Sequence, residues 1–218
     1  VYINDINHDI MSIYRCIKSN CDEFLKRVID LESQYLPLIE GDRRKLFFDV
    51  RHEHAYNYEG WSKPYESATL YFLMKTGFNG IFQINKNTNN RYGTPCGLLN
   101  QKDKVFDRDV VKWWNNALQK VNILSGDWKN VPLINEAFYF FDPPYRNSFA
   151  DYGLSFGDEQ LKELIDFADK RDKSFVCNRD SSDGWFEENK KSMQMKLFDI
   201  TYTAGRRKKT EEGFEAKK

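Results

Sequence analysis

A carboxylate, two prolines and an aromatic ring follow an apolar run at Phe138–Tyr145. An apolar run of this length that ends in prolines predicts a short buried strand that stops abruptly. Ligands of open α/β sheets bind just beyond the carboxyl ends of strands. There, the carboxylate of Asp142 and the carbonyl of Pro143 could accept both hydrogens of an exocyclic amine, while Tyr145 stacks on the ring that carries it. Asp142, Pro143, Pro144 and Tyr145 are therefore the candidate catalytic group, with a proline-kinked loop around a buried tyrosine as the alternative.

Two further acids stand at the ends of predicted strands. Asp5 ends a strand-like N-terminal segment, and in nucleotide-binding α/β folds an acid at such a position binds ribose hydroxyls. An ordinary helix-capping role accounts for Asp5 equally well. Asp127 follows Gly126 and a predicted strand over 121–124, so the backbone can approach a ligand while the acid bonds an amine. A turn with a packed Trp128 is the alternative there.

The segment 77–97 is rich in glycine, asparagine and proline, which marks tight turns and predicts a hairpin. Arginine, lysine, asparagine and glutamine side chains project from it and suit contacts with phosphates and base edges. A structural β-turn without a ligand is the alternative.

Strand and helix patterns alternate on both sides of a less regular stretch between about 41 and 100. Near the N-terminus, an apolar stripe through Ile10, Ile13 and Ile17 predicts an amphipathic helix, capped by Asn7 or Asp9. The irregular stretch predicts an inserted, mostly helical subdomain in an α/β domain. The polar segment after Tyr145, at 146–153, predicts a mobile loop over the site.

Composition sets broad limits on function. The chain has 218 residues and a formal net charge of zero, so any nucleic-acid-binding face must come from local clusters of Lys and Arg. The four scattered cysteines lack paired spacing and fit reduced thiols in a cytoplasm. No signal peptide or membrane-spanning run is visible. His52 and His54 form an H-x-H pair with no third ligand in view, so we expect no metal.

Six short motifs occur together along the chain. They are Asn4-Asp5-Ile6-Asn7, Phe78-Asn79-Gly80, Thr94-Pro95-Cys96-Gly97, Gly126-Asp127-Trp128, Asp142-Pro143-Pro144-Tyr145 and Ala150-Asp151-Tyr152-Gly153. In this combination and order the chain resembles the DNA adenine N6-methyltransferase (Dam) family, especially its phage-type members. The resemblance implies an α/β fold with a Rossmann-like S-adenosylmethionine-dependent methyltransferase sheet and an inserted target-recognition subdomain. The implied domains are a first catalytic part over 1–38, an insert over 39–115 with the hairpin at 77–97, and a second catalytic part over 116–218.

The resemblance also implies a reaction and its partners. Methyl would pass from S-adenosylmethionine, without a metal, to a flipped adenine in double-stranded DNA. The protein would act as a monomer or as a weak dimer on DNA, and the Asp-Pro-Pro-Tyr residues would be catalytic. Asp5 would hold the cofactor ribose, and Asp127 with Trp128 the cofactor adenine. The implied cofactor contacts are Asp5, Ile6, Asp127, Trp128 and Asp142.

By the same resemblance the hairpin recognises the DNA. Phe78 sits where an aromatic side chain wedges into the duplex, and Pro95 would contact a thymine methyl group. Many relatives carry an arginine that reads guanine where this chain has Gln83, so the expected site is GATC-like, not fixed as GATC. The basic run at 206–209 suits phosphate contacts, with a solvated charge run as an equal alternative. The implied DNA contacts are Phe78, Asn79, Gly80, Ile81, Gln83, Asn85, Arg91, Pro95, Arg206, Arg207, Lys208 and Lys209.

Departures from the family leave alternatives open. The family begins with a strand and a Phe-x-Gly-x-Gly-type loop around the methionine part of the cofactor, whereas this sequence opens at Val1, and a last strand is expected after Lys218. An incomplete, catalytically impaired fragment that binds only DNA or cofactor is one alternative. RNA or a protein glutamine as substrate is another. The sequence leaves open restriction–modification, repair marking and phage protection as roles.

Overall fold

A computed structural model describes residues 1–147 and 156–199. The basic run at 206–209 and the Ala-Asp-Tyr-Gly motif at 150–153 lie outside these ranges. The helices are α1 His8–Ser19, α2 Cys21–Tyr35, α3 Glu40–Tyr56, α4 Lys63–Thr76, α5 Arg108–Leu118, α6 Asp158–Asp169 and α7 Trp185–Asn189. The strands are β1 Tyr2–Ile3, β2 Ile84–Asn85, β3 Arg91–Tyr92, β4 Asn122–Ile123, β5 Tyr139–Phe141 and β6 Ser174–Val176. The chain divides into two compact units, Val1–Leu133 and Ile134–Lys218.

The first unit is built around helix α4, which packs against α1, α2 and α3. The buried side chains of α2 include Phe24, Val28, Leu31 and Tyr35, which recur at helical spacing and form one apolar face. Burying a side chain of this size stabilises the fold by about 1.5–3 kcal/mol. The predicted insert therefore shares its core with the N-terminal helices. The division into three parts stays a prediction.

The start of α1 is fixed by Asn7. Its side-chain oxygen accepts the backbone N–H groups of Asp9 and Ile10, both at 3.0 Å, which satisfies two donors of the first helical turn. The carboxylate of Asp5 accepts the backbone N–H of Asn7 at 2.7 Å. The prediction of a capped helix is confirmed, and Asn7 is the cap.

Strands β1 and β4 pair in parallel, with Tyr2 opposite Asn122 and Ile3 opposite Ile123. The pairing continues past both strands, because the backbone N–H of Gly126 donates to the carbonyl of Asp5 at 2.9 Å. Parallel strands end at the same edge. The two acid-bearing loops therefore leave the sheet side by side.

In the second unit, β5 and β6 also pair in parallel, with Phe140 opposite Phe175. Tyr139 and Phe141 turn to one face, where both contact Phe167 of α6 edge to face. The prediction of a buried strand is wrong for Phe140, which is 60% exposed and stacks on Phe175 on the other face. Alternation across a pleated strand explains the difference, since only one face of this pair packs against α6.

The described residues form three two-stranded sheets, of which β2–β3 is antiparallel. This mixed α/β organisation agrees with the predicted class. A single Rossmann-like sheet is not seen in the described ranges and stays a prediction. Nowhere in those ranges does a helix reach both the length and the apolar content needed to cross a membrane.

Candidate functional site

Asp5 and Asp127 lie at the carboxyl ends of the adjacent strands β1 and β4. The amide of Asn4 donates to the carbonyl of Gly126 at 2.9 Å and ties the two loops together. The carboxylate of Asp127 caps a short turn by accepting the N–H of Lys129 at 2.9 Å. Both acids are exposed, so each can accept further hydrogen bonds from a ligand.

Arg15 and Ser125 support this edge of the sheet, and sequence reasoning missed both. The guanidinium of Arg15 donates to the hydroxyl of Ser125 at 2.9 Å and approaches the carbonyl of Ile123 at 3.5 Å. The hydroxyl of Ser125 also lies 3.0 Å from Nδ1 of His8. Helix α1 thereby holds the loop that carries Asp127. The available sequence signal was a cation on the helix that directly follows an acid-ended strand.

Asp142 is exposed directly beyond β5, and the ring of Tyr145 is half-buried. The loop between them is held against the end of β6 by Asn178. The side-chain oxygen of Asn178 accepts the N–H of Arg146 at 2.9 Å, and its amide nitrogen lies 3.5 Å from the carbonyl of Pro144. Burial, with a smaller contribution from the Asp142 carboxylate, raises the pKa of the Cys177 thiol. The carboxylate and the ring of the candidate catalytic group thus lie on one short, braced loop.

The segment that follows this loop is bonded to other parts of the second unit at its start. Arg146 and Asn147 both make side-chain hydrogen bonds, Arg146 to Asp158 and Asp183 and Asn147 to Ser181. The mobile loop over 146–153 stays a prediction. Two carboxylates that converge on one guanidinium form strong charge-assisted hydrogen bonds with it. Sequence spacing alone does not show that these carboxylates lie near Arg146.

The hairpin places most of the predicted DNA-contact residues on the surface. Phe78 is 46% exposed and Asn79 adopts a left-handed conformation with φ 52°, which asparagine tolerates better than most residues. The N–H of Phe78 donates to the carbonyl of Pro95 at 2.8 Å. This bond brings the two distant parts of the hairpin together. The exposed members of the predicted DNA-contact set are Phe78, Asn79, Gly80, Ile81, Gln83, Asn85 and Pro95.

Buried Thr94 and half-buried Arg51 support the hairpin with hydrogen bonds to its backbone. The hydroxyl of Thr94 donates to the carbonyl of Ile81 at 2.8 Å and accepts the N–H of Gln83 at 3.1 Å. Arg51 donates to the carbonyls of Gly93 and Thr94 at 3.2 and 2.9 Å. Sequence reasoning missed this role of Arg51, although a cation on the buried face of α3, one turn after Phe47, was a usable signal.

Arg91 differs from the other predicted DNA contacts. Its side chain is only 13% exposed, forms an ion pair with Glu66 and lies 3.9 Å from the ring centroid of Tyr58. Burial raises the pKa of the Glu66 carboxyl, but hydrogen bonds from Lys63 and Arg91 outweigh it and hold that pKa below its usual value. The geometry gives Arg91 an internal partner, and its contact with DNA stays a prediction.

His54 is fully buried beside Arg91, with Nε2 at 3.3 Å from the guanidinium. Arginine can only donate, so Nε2 accepts and the proton of the neutral ring sits on Nδ1. That Nδ1 atom has no hydrogen-bond partner among the described residues. Burial, then the charge of Arg91, lowers the pKa of His54 to about 4. In the described ranges no three His, Cys, Asp or Glu side chains are grouped as a metal site.

These features define a class of protein: an α/β chain with exposed acids at the ends of parallel strands and a surface hairpin. The chain matches the D12 class N6 adenine-specific DNA methyltransferase family over residues 1–209, and it belongs to that family. The resemblance to adenine N6-methyltransferases is thereby confirmed. The narrower phage-type assignment stays a prediction.

Relatives from three sources are similar to this chain. The type II methyltransferase M.MjaIII of Methanocaldococcus jannaschii is 32% identical over 181 residues, which cover 79% of this chain and 62% of that protein. The type II methyltransferase M1.LlaDCHI of Lactococcus lactis subsp. cremoris is 25% identical over 223 residues, or 93% of this chain and 72% of the relative. The Retron Ec67 DNA adenine methylase of Escherichia coli is 22% identical, over 69% of this chain and 50% of the relative.

Proposed function

We propose that this chain carries the catalytic and target-recognition parts of a DNA adenine N6-methyltransferase. Family membership supports the reaction class. The observation that carries the proposal is the loop at Asp142–Tyr145, where an exposed carboxylate and a half-buried ring follow a parallel strand. Parallel pairing of β1 with β4 and of β5 with β6 supports a Rossmann-like methyltransferase sheet.

In this proposal the residues of the loop bind the target amine. The Asp142 carboxylate and the Pro143 carbonyl accept the two N–H groups of adenine N6, and Tyr145 stacks on the purine. Accepting both hydrogens leaves the nitrogen lone pair directed away from the protein and increases its electron density. S-adenosylmethionine, when bound, would supply the electrophilic methyl group: the bond from N6 to the methyl carbon would form as the sulfonium carbon–sulfur bond breaks, and the proton lost from N6 would pass to solvent. The chain contributes position and electrostatics, which can account for large rate effects without covalent chemistry.

The carboxylates at the carboxyl ends of β1 and β4 fit the hydrogen-bond donors of S-adenosylmethionine. A carboxylate binds the two hydroxyls of a ribose well, and a second carboxylate can bind an adenine amine. Asp5 and Asp127 offer these two groups from adjacent strand ends joined by the Asn4–Gly126 hydrogen bond. Ile6, also exposed, and half-buried Trp128 provide apolar surface next to them.

The hairpin is proposed to read the DNA. Phe78 wedges into the duplex where the adenine leaves the stack, which costs a few kcal/mol. Gln83 reads a base edge, and its exposed amide can pair with adenine. Sequencing the sites that the full chain methylates in a random DNA library tests this assignment. A GATC-like set is expected, and replacing Gln83 by arginine should shift preference toward guanine at one position.

The catalytic assignment is tested by Asp142→Ala. We expect labelled methyl transfer to duplex DNA to fall by at least about 100-fold, with the unfolding midpoint nearly unchanged because the side chain is exposed. Asp172→Ala is the matched control, since Asp172 is also an exposed acid of the second unit. Parent-rate transfer by Asp142→Ala would overturn the proposal. Calorimetric titration of S-adenosylmethionine onto the chain separates this outcome from a protein that binds without transferring.

A further inference from the structure

Arg146, the residue after the Asp-Pro-Pro-Tyr loop, is enclosed by two carboxylates. Its Nε and Nη2 donate to the two oxygens of Asp158 at 2.7 and 2.9 Å, and Nη1 donates to both oxygens of Asp183 at 3.1 and 3.0 Å. The side chain of Arg146 is 8% exposed, whereas those of Asp158 and Asp183 are 53% and 40% exposed. Every nitrogen of the guanidinium is therefore engaged, and a DNA phosphate would have to displace a carboxylate to bind it.

Aromatic rings complete the enclosure. The guanidinium carbon lies 4.5 Å from the ring centroid of Trp185 and 5.9 Å from that of Phe186. Asp183 also accepts the backbone N–H of Trp185 at 3.2 Å, so the carboxylate and the ring are placed by one turn. Arginine combines paired donors with a planar face that stacks on rings, and lysine offers neither.

The backbone of the same residue is fixed as well. The N–H of Arg146 donates to the side chain of Asn178 just after β6, while Asp158 is the first residue of α6. Three separate segments of the second unit therefore converge on one residue. At the other end of the loop, the N–H of Cys177 donates to the carbonyl of Phe141 at 2.8 Å and fixes the exit from β5.

We propose that Arg146 is a positioning residue for the methyl transfer proposed above. It anchors the end of the Asp142–Tyr145 loop directly beside the ring of Tyr145, and the two prolines, whose φ angles are fixed, extend that anchor to the carboxylate of Asp142. It touches neither substrate nor cofactor. Exposed ion pairs are individually worth little, but the two parallel bonds to Asp158, the second carboxylate on Nη1 and the ring stacking together define a unique orientation of the guanidinium. A misplacement of about 1 Å at reacting groups can cost roughly 100-fold in rate.

The first test is kinetic and uses Arg146→Lys, which keeps the charge but loses the paired donors. We expect kcat for methyl transfer to fall about 10- to 100-fold at saturating DNA and S-adenosylmethionine, with each KM changed by less than about 2-fold. Asp183→Asn, a milder change, should lower kcat by a smaller factor. Arg171→Lys is the matched control, because Arg171 also stacks on a ring of this unit, that of Phe167 at 4.0 Å, and should keep the parent kcat. A raised KM for DNA with unchanged kcat would make Arg146 a DNA contact and overturn the proposal.

The second test needs no activity. Hydrogen exchange of the peptide spanning 138–147 should become faster in Arg146→Lys and Asp183→Asn, and stay at the parent rate in Arg171→Lys. Unchanged exchange in both variants would overturn the positioning role. Should Arg146→Lys not fold, the exchange and kcat of Asp183→Asn decide. Because the proposal rests on the proposed function, the parent is informative by itself. If the parent protein transfers no methyl group to DNA, the proposed function is wrong. Hydrogen exchange of the peptide 138–147 in the variants still tests whether Arg146 anchors the loop.

Discussion

The hairpin at 77–97 and the loop at Asp142–Tyr145 are braced in different ways. The hairpin is held by buried residues of its own such as Tyr92 and Thr94, whose hydroxyls bond to backbone carbonyls inside the first unit. The loop is braced by Arg146, whose carboxylate partners remain open to water. In the proposed function the hairpin separates stacked bases, which requires a rigid support, and burial provides one. In the proposed function the loop holds the Asp142 carboxylate and the Tyr145 ring in a fixed orientation, and the directional hydrogen bonds of Arg146 provide that orientation.

The largest expected effect is the loss of the buried support of the hairpin. Tyr92 is fully buried against Phe82, and truncation to alanine removes its ring and its bond to the carbonyl of Leu73. Tyr92→Ala should lower the free energy of unfolding by about 3–5 kcal/mol in urea titrations. Phe140→Ala, which truncates an exposed ring of the second unit, should cost about 1 kcal/mol or less. Equal losses would contradict the contrast drawn between the two regions.

The stability of the hairpin region around His54 and that of the Arg146 cluster should also fall in different pH ranges as acid is added. The folded pKa of His54 is lowered to about 4, so the unfolded chain binds the proton more tightly. The stability that His54 contributes is complete above about 6.5 and is lost as the pH falls toward 4, by about 3 kcal/mol in total. Urea titrations at several pH values should show this slope in the parent and in His52→Gln, and a flatter one in His54→Gln.

The support of the loop should persist to lower pH. A hydrogen bond from Arg146 holds the pKa of the Asp158 carboxyl below its usual value, and bonds from Trp185 and Arg146 do so for Asp183. Their contribution is present above the usual Asp pKa of about 4 and is lost only as the pH falls below it. The protection factors of the peptide 138–147, which correct each exchange rate for the intrinsic rate at that pH, should therefore stay constant between pH 6.5 and 4.5. Loosening of that peptide between pH 6.5 and 4.5 would refute the separation.

Two glycines test the contrast on a smaller scale. A Cβ on Gly93 would overlap the Cβ of Asn85 and lie 3.0 Å from its backbone nitrogen. Gly93→Ala should therefore cost about 1–3 kcal/mol, because backbone in a braced hairpin cannot move aside. The expected loss should appear both in urea titrations and as weaker binding of a duplex oligonucleotide.

Gly184 is the counterpart beside the Arg146 cluster. It has φ 77° and no atom within 4 Å of an added Cβ, so only backbone strain opposes a side chain there. Gly184→Ala should cost about 1 kcal/mol in unfolding free energy, less than Gly93→Ala. A larger effect than that of Gly93→Ala would mean that the region around Trp185 is as tightly packed as the hairpin.

Much of this could be predicted from the sequence because the signals are local. Asn7 caps α1 because its side chain bonds to donors two and three residues away. Two prolines after an apolar run end β5 where they stand. The family resemblance, carried by short motifs, is confirmed by the match over residues 1–209. Placement of Asp5 and Asp127 at strand ends follows from the same local logic.

The errors and omissions concern contacts between residues far apart in the chain. The apolar run predicts that Phe140 is buried, but its burial depends on which face of strand β5 packs against α6. Arg91 forms an ion pair with Glu66, 25 positions earlier, which was not foreseen from the sequence, and its contact with DNA stays a prediction. The sequence places Arg146 in a loop, yet its guanidinium donates hydrogen bonds to Asp183, which lies 37 positions further along the chain.

The sequence alone determined the family, the caps, the strand ends and the candidate acids, since each depends on neighbouring residue types. The tertiary structure alone decided which cations face solvent and which are enclosed by carboxylates and rings. The reason is electrostatic. The free energy of a charged side chain depends on the groups that replace its water, and in this protein those groups come from other segments of the chain.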